Sequence, residues 1–93
     1  MQGLPTIRNY GDYASSNYGA HTLAVSIGQI TVYFSYKTPI AFETSHGLVC
    51  SKNVWSMTTG KHLNWIEPDK TKRVSNLEFE QRFKDVVAQF TVS

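Results

Sequence analysis

The chain of 93 residues is shorter than a typical domain, and 41% of its residues are apolar, which is enough to form one hydrophobic core. Charged residues make up only 17%, a fraction that argues against intrinsic disorder. The net charge of +2 is far below the strongly basic character of dedicated nucleic-acid binders. We therefore expect a single folded domain over residues 1–93, and the net charge alone does not identify a partner.

The cysteine content predicts the cellular setting. Cys50 is the only cysteine, so an intramolecular disulfide is excluded, and its spacing to His21, His46 and His62 matches no recognised zinc site. Residues 1–8 lack the apolar segment of a signal peptide, and no window is apolar enough to span a bilayer. We expect a cytoplasmic protein with no metal, cofactor or membrane contact. A homodimer is an expected option, because so small a core gains stability by association.

Residues 8–21 form a segment rich in glycine, asparagine and serine, which favours an aromatic loop. Its three tyrosines are Tyr10, Tyr13 and Tyr18. Their rings either complete the core or form an exposed contact surface.

Residues 22–51 alternate between apolar and polar side chains with the period of two that is typical of strands. Gly28 and Gln29 interrupt the alternation and predict a type II′ hairpin turn. Lys37-Thr-Pro39 should break the ladder, so a third strand is expected over 40–44 and a fourth over 48–51. The pattern predicts an antiparallel meander of about four strands.

Residues 52–74 form a segment that carries both tryptophans and several lysines. Thr58 or Thr59 could cap a short helix over about 58–66, and the alternative is a tight loop because Gly60 disfavours helix. Residues 69–73 have no apolar face, and we expect them to be a solvated connector.

Residues 75–90 carry the clearest helix signal. Ser75 and Glu78 have the spacing of a capping box, and Val74 and Phe79 that of a hydrophobic staple. An apolar stripe follows at helical spacing: Phe79, Phe83, Val86, Val87 and Phe90. The predicted fold is therefore α+β, an antiparallel sheet packed against one C-terminal helix.

One catalytic hypothesis centres on His62 as a general base, with Lys61, Asn64 and the distant His21 in the same pocket. The sequence offers no acidic pair or second histidine at fixed spacing to orient His62, so a hydrogen-bonded structural histidine is the favoured interpretation. We expect no catalytic site, and a small enzyme centred on His62 is the least favoured function.

Basic and aromatic residues alternate through the same segment, as single-strand binders require. The cations are Lys52, Lys61, Lys70, Lys72 and Arg73. The alternative is a solvated basic loop beside two core tryptophans. If Trp55 or Trp65 is exposed, it would be a strong anchor for a protein partner.

Three blocks of sequence resemble those of a known family. They are residues 10–21 with Asn17-Tyr-Gly-Ala-His21, residues 34–42, and residues 47–64 with Thr58-Thr-Gly-Lys-His-Leu-Asn64. The blocks resemble a family of short proteins of unknown function encoded by bacterial and archaeal viruses, plasmids and other mobile elements. The chain departs from that pattern at Cys50-Ser-Lys52, where Arg and Glu are expected.

The resemblance implies a phage or plasmid accessory protein that acts in the cytoplasm of its prokaryotic host. We expect non-enzymatic binding to a host or viral protein, or to a nucleoprotein complex, and inhibition of a defence system such as a CRISPR nuclease is one such role. The alternative is a small nucleic-acid-binding protein. The expected binding residues are Tyr10, Tyr13, Tyr18, Trp55, Lys61, His62, Asn64 and Trp65.

Overall fold

The structure is a computed structural model that describes residues 5–11 and 22–91, the last three of these by their backbone alone. Within this part of the chain, five antiparallel strands lie in sequence order in one sheet. The strands are β1 (Thr6–Arg8), β2 (Thr22–Ile27), β3 (Ile30–Ser35), β4 (Thr38–Thr44) and β5 (Gly47–Cys50). The helices are α1 (Met57–Ile66), a 3₁₀ helix (Lys70–Lys72) and α2 (Asn76–Thr91). The predicted α+β fold is confirmed.

The β2–β3 hairpin has the predicted two-residue turn. Ile27 pairs with Ile30, and Gly28 has the positive φ of 59° that the first central position of a type II′ turn requires. The β3–β4 turn is equally tight, because Ser35 pairs with Thr38 and Tyr36 takes a φ of 59°.

The prediction that Pro39 breaks the ladder is wrong. Pro39 lies inside β4 and pairs with Phe34, beside a register shift between Tyr33 and Phe34. Irregular pairing of this kind tolerates a residue without an N–H donor, so the strand begins at Thr38.

Strand β1 is absent from the sequence prediction, which placed Arg8 in a loop. It pairs with β2 from Thr6 opposite Ser26 to Arg8 opposite Ala24. Three residues are too few for an alternation signal. Residues 12–21 lie outside the described residues, and with them Tyr13, Tyr18 and His21.

Helix α1 replaces the alternative of a tight loop, but its cap is Ser56 rather than Thr58 or Thr59. The Ser56 hydroxyl accepts a hydrogen bond from the Thr59 amide at 3.3 Å. Gly60 lies within the helix, where its missing side chain admits the amide group of Asn53.

Helix α2 begins at Asn76 as predicted, with the Glu78 amide donating to the Ser75 hydroxyl. Phe79 and Val86 of the apolar stripe are buried and Phe83 is half-buried. Val87 is exposed, contrary to its predicted place in the core, and the side chain of Phe90 lies outside the described residues.

The two helices cover opposite faces of the sheet. Ala41 pairs with Tyr33 and Cys50, and these residues pack with Ile40 against Leu63 of α1. Phe42 points the other way and packs against Phe79 and Val86 of α2, together with Ile30, Val32 and Val49. Ala41 and Phe42 alternate between faces as successive strand residues do, whereas Ile40, which has no β3 partner at the register shift, packs on the α1 side with Ala41. Strand β4 therefore contributes to both cores. The prediction of a sheet covered by one helix is therefore incomplete.

Candidate functional site

The outer face of α1 carries large side chains that the fold does not bury. Met57, Lys61 and Trp65 follow one another at intervals of four residues and so share one side of the helix. Met57 is 84% exposed and Trp65 is 48% exposed. Thr59, His62 and Leu63, on the opposite side, are buried against the sheet. The exposed side of α1 therefore contributes little to the core.

The turn before α1 carries two more exposed apolar side chains, Val54 and Trp55. The Asn53 side chain accepts a hydrogen bond from the Trp55 amide at 2.9 Å and donates one to the Ser56 carbonyl at 3.1 Å. These bonds hold Val54 at 60% exposure and Trp55 at 36%. Trp55 also lines a cavity of about 270 Å³ beside Pro39 and the start of α2. We call Val54, Trp55, Met57, Lys61 and Trp65 the α1 surface.

The buried side of α1 contains a polar cluster. The Ser35 hydroxyl lies 2.7 Å from His62 Nδ1 and 2.9 Å from Thr59 Oγ1, and all three side chains are buried. Ser35 and Thr59 were not recognised in the sequence, because a serine at the end of an alternating strand carries no distinguishing signal. A hydroxyl beside an imidazole can exchange a proton with it, but His62 is fully buried, so a substrate cannot reach its ring.

Tyr10 is buried, so of its two alternatives the structure favours the core. Its hydroxyl donates to the Phe34 carbonyl at 2.9 Å, and its ring lies 5.3 Å from Tyr33 and 5.5 Å from Trp65 between centroids. Tyr10 thus supports one side of the Trp65 indole. Another ring near His62 is that of Tyr36, which is exposed and has a centroid distance of 6.3 Å.

The structure does not bring His62, Lys61 and Asn64, the described residues of the catalytic hypothesis, into one pocket, and His21 lies outside the described residues. His62 faces the sheet, whereas Lys61 is exposed on the other side of α1. The Asn64 side-chain oxygen accepts a hydrogen bond from Arg73 at 2.8 Å, which gives this asparagine a structural partner.

Four of the five predicted cations, Lys52, Lys61, Lys70 and Lys72, are exposed. Arg73 is the exception, and its expected place in a solvated connector is wrong. It is buried, and its guanidinium donates to the Glu67 carbonyl from Nε at 3.1 Å and from Nη2 at 2.8 Å. The arginine therefore satisfies groups at the C-terminal end of α1 and is not available to a ligand.

A family model describes the chain. The model of a family of unknown function, DUF8033, matches residues 6–81. The chain belongs to this family. The match covers the five described strands, α1 and the first residues of α2, so the α1 surface lies inside the DUF8033 region. No curated protein and no solved structure matches the chain.

On the opposite side of this DUF8033 domain, a groove of about 750 Å³ separates the hairpin turns from α2. Ile27, Ile30 and Val49 line it together with Arg82 and Asp85. None of the predicted site residues that the structure describes lines this groove.

Cys50 is a free cysteine of the DUF8033 domain, and its thiol is buried. Within residues 5–11 and 22–91, no three His, Cys, Asp or Glu side chains gather into a group that could hold a metal ion. Burial raises the pKa of the Cys50 thiol to about 11, so it is a poor nucleophile at neutral pH. The described residues also include no helix with the length and apolar character needed to cross a membrane.

Proposed function

We propose that the chain is a non-enzymatic binding protein that contacts a partner macromolecule through the α1 surface. The observation that carries the proposal is the exposure of Met57 and Trp65 on a helix whose other side completes the core, with Val54 exposed in the turn before it. Exposed apolar residues that cluster on one side of a small protein mark an interaction surface more often than isolated ones do. Tryptophan and methionine are also enriched at the centres of protein interfaces.

The buried His62 supports binding over catalysis. Its Nδ1 is engaged by Ser35, and neither of the two cavities described above is lined by either residue. A general base must reach the proton it removes, directly or through one water. The Ser35–His62 pair therefore fits a structural role.

The biological setting in the proposal comes from the resemblance of residues 10–21, 34–42 and 47–64 to mobile-element proteins. We propose an accessory protein of a virus or plasmid that acts in the cytoplasm of a prokaryotic host, on a host or viral protein or a nucleoprotein complex. Inhibition of a defence system such as a CRISPR nuclease is the role to test first.

The binding test compares two exposed apolar positions. Tagged wild-type protein, Met57→Ser and Val87→Ser are used to capture proteins from lysates of prokaryotic hosts, with mass spectrometry as the readout. Val87 is the control because it is exposed on α2 next to Val86, which lines the groove opposite the α1 surface. We expect a partner that binds wild type and Val87→Ser but not Met57→Ser, and whose affinities for the purified proteins follow the same ranking. Capture that is equal for all three proteins would contradict the proposal.

The defence role has its own test. A host with an active CRISPR nuclease is challenged with a targeted phage while it expresses wild-type protein or Met57→Ser. We expect plaques to be restored by wild-type protein and not by the variant. Unchanged phage restriction with wild-type protein would remove this role and leave the binding proposal standing.

The exposure of Lys52, Lys61, Lys70 and Lys72, in the segment that also carries the exposed Trp55 and Trp65, supports nucleic-acid binding as a second candidate. Titration of labelled single-stranded and duplex DNA at several salt concentrations tests it. Binding that weakens as salt rises is expected if the lysines contact phosphates, and its absence excludes this candidate.

A further inference from the structure

We infer that the α1 surface accepts an acidic protein partner, one that presents carboxylates around an apolar centre. This inference rests on the proposed function and names the chemistry of the partner. It is carried by the distribution of charge, by the position of Arg73 and by the kind of apolar side chains that are exposed.

Charge is unevenly distributed along the chain. Residues 52–73 contain five basic and two acidic residues, whereas residues 76–91 contain two basic and three acidic residues. The segment that carries the exposed Met57 and Trp65 is therefore the positive part of the molecule, although the net charge is only +2. A surface of this sign attracts an acidic partner and repels a basic one.

Contacts within the fold hold two of the lysines near the α1 surface. Arg73 joins the end of the 3₁₀ helix to the last turn of α1, through the Asn64 side chain and the Glu67 carbonyl. Lys70 and Lys72 are exposed on that 3₁₀ helix and so lie at the same end of α1 as Trp65. Lys61 lies one turn before Trp65 on the helix itself.

The two acidic residues of the segment are occupied by local hydrogen bonds. Asp69 accepts from the Thr71 amide at 3.0 Å and from the Thr71 hydroxyl at 2.6 Å, and these bonds lower the pKa of its carboxyl group. The Glu67 carboxylate accepts from the Asp69 amide at 3.3 Å. Both carboxylates therefore have donors within the connector, although Asp69 also interacts with Lys72 and offsets part of the positive charge of that lysine.

The apolar side chains favour a protein over a nucleic acid. Met57 and Val54 are aliphatic and largely exposed, and a phosphate backbone offers no apolar surface to bury them. Arginine provides the bidentate contacts to phosphate and to base edges, and Arg73, the only arginine of the segment, is buried within the fold. The exposed lysines and aliphatic side chains of this segment together match a protein partner whose apolar centre is flanked by carboxylates.

The test uses synthetic amphipathic peptides of about 15 residues, the length of a typical short helix, as probes. One peptide has a leucine stripe flanked by glutamates, a second has the same stripe flanked by lysines, and a third has serines in place of the leucines and keeps the glutamates. The fourth probe is a single-stranded oligothymidine. Tryptophan fluorescence and anisotropy measure binding to the full chain.

The charge variants are matched in net charge. Lys70→Gln with Lys72→Gln removes two positive charges beside Trp65, and Gln29→Glu with Gln81→Glu adds two negative charges at exposed positions elsewhere. We expect the glutamate–leucine peptide to bind wild-type protein at least about tenfold more tightly than the other probes. The double variant Lys70→Gln with Lys72→Gln should lose most of this binding. The double variant Gln29→Glu with Gln81→Glu should keep the affinity within about twofold of wild type.

Three outcomes would overturn the inference: equal binding of the glutamate and lysine peptides, tighter binding of the oligothymidine, or equal loss in both charge variants. A dimer in analytical ultracentrifugation that Met57→Ser disrupts would also overturn it, since a second copy would then occupy the surface. Partner capture that depends on Met57 but not on Lys70 and Lys72 would retain the proposed function and reject the acidic partner alone.

Discussion

Gly60 lies in the middle of α1, a position where alanine ordinarily stabilises a helix. A Cβ atom at Gly60 would lie 3.0 Å from Asn53 Nδ2, and the Asn53 side chain is held by its bonds to Trp55 and Ser56. The close approach of the preceding turn, which also holds Trp55 on the α1 surface, therefore favours glycine at this position.

Gly60→Ala should consequently fail to stabilise the protein, because the close contact offsets the gain of up to about 1 kcal/mol in helix propensity. In an Asn53→Ala background the contact disappears, and Gly60→Ala should then raise the free energy of unfolding by about 1 kcal/mol. Urea denaturation of the four proteins measures this coupling. Equal effects of Gly60→Ala in both backgrounds would show that the two residues are not coupled.

Cys50 is the second residue whose behaviour follows from its surroundings. Burial raises its pKa from the ordinary 9.0 to about 11, since desolvation disfavours the thiolate. Alkaline titration monitored by thiolate absorbance should place ionisation near pH 11 in the native protein and near pH 9 in urea.

The same shift has a consequence for stability. The Cys50 thiol holds its proton more tightly in the folded state than in the unfolded state. Its contribution to the free energy of unfolding is therefore complete below pH 9 and is lost as pH rises towards 11. Cys50→Ala should reduce the decline in the free energy of unfolding over this range. A decline of the same size in wild type and Cys50→Ala would argue against a buried thiol.

At the scale of elements, Arg73 fastens the connector to the end of α1. Helix ends leave carbonyl groups without partners, and the guanidinium supplies donors to Glu67 and to the Asn64 side chain at once. The position of Lys70 and Lys72 beside Trp65 depends on this contact.

Arg73→Lys should lower the free energy of unfolding by about 1–3 kcal/mol, because one ammonium cannot replace the planar fork of the guanidinium and a partly buried acceptor loses its donor. Lys72→Arg is the control, since Lys72 is exposed and its change should stay within about 0.5 kcal/mol. Thermal and urea unfolding measure both. If the two variants are equally stable, the guanidinium contacts do not stabilise the fold.

The elements differ in how far the sequence predicts them. The β2–β3 hairpin and α2 carry strong local signals, the Gly28-Gln29 turn in one case and the Ser75–Glu78 spacing in the other, and both are confirmed. Strand β1 and the burial of Arg73 depend on contacts with distant residues, so no local pattern predicts them. For the candidate site, the sequence identified Trp55, Lys61 and Trp65 as candidates, but exposure separates them from the buried His62 and Tyr10.

At the scale of the whole molecule, β4 joins two cores. Ile40 and Ala41 pack towards α1 and Phe42 packs towards α2, so each helix is supported by the same strand. The amphipathic pattern of α1 indicates that one side is buried but not which face of the sheet it covers. A sheet with apolar groups on both faces needs both helices to exclude water.

Because the two cores share β4, the domain should unfold as one cooperative unit. Leu63→Ala in the α1 core should cost about 2–5 kcal/mol and Phe79→Ala in the α2 core about 3–5 kcal/mol, from lost burial and the cavities left behind. Each variant, made in a Trp55→Phe background because Trp55 and Phe79 line one cavity, should lower the midpoint of one common transition. The transition is followed by the fluorescence of Trp65, which reports on the α1 side, and by far-UV circular dichroism. Leu77→Ala, at an exposed position of α2, is the control and should shift the midpoint little. If Phe79→Ala lowered the circular-dichroism midpoint and left the tryptophan midpoint in place, the two cores would be independent, and the α1 surface would rest on a unit that folds without α2.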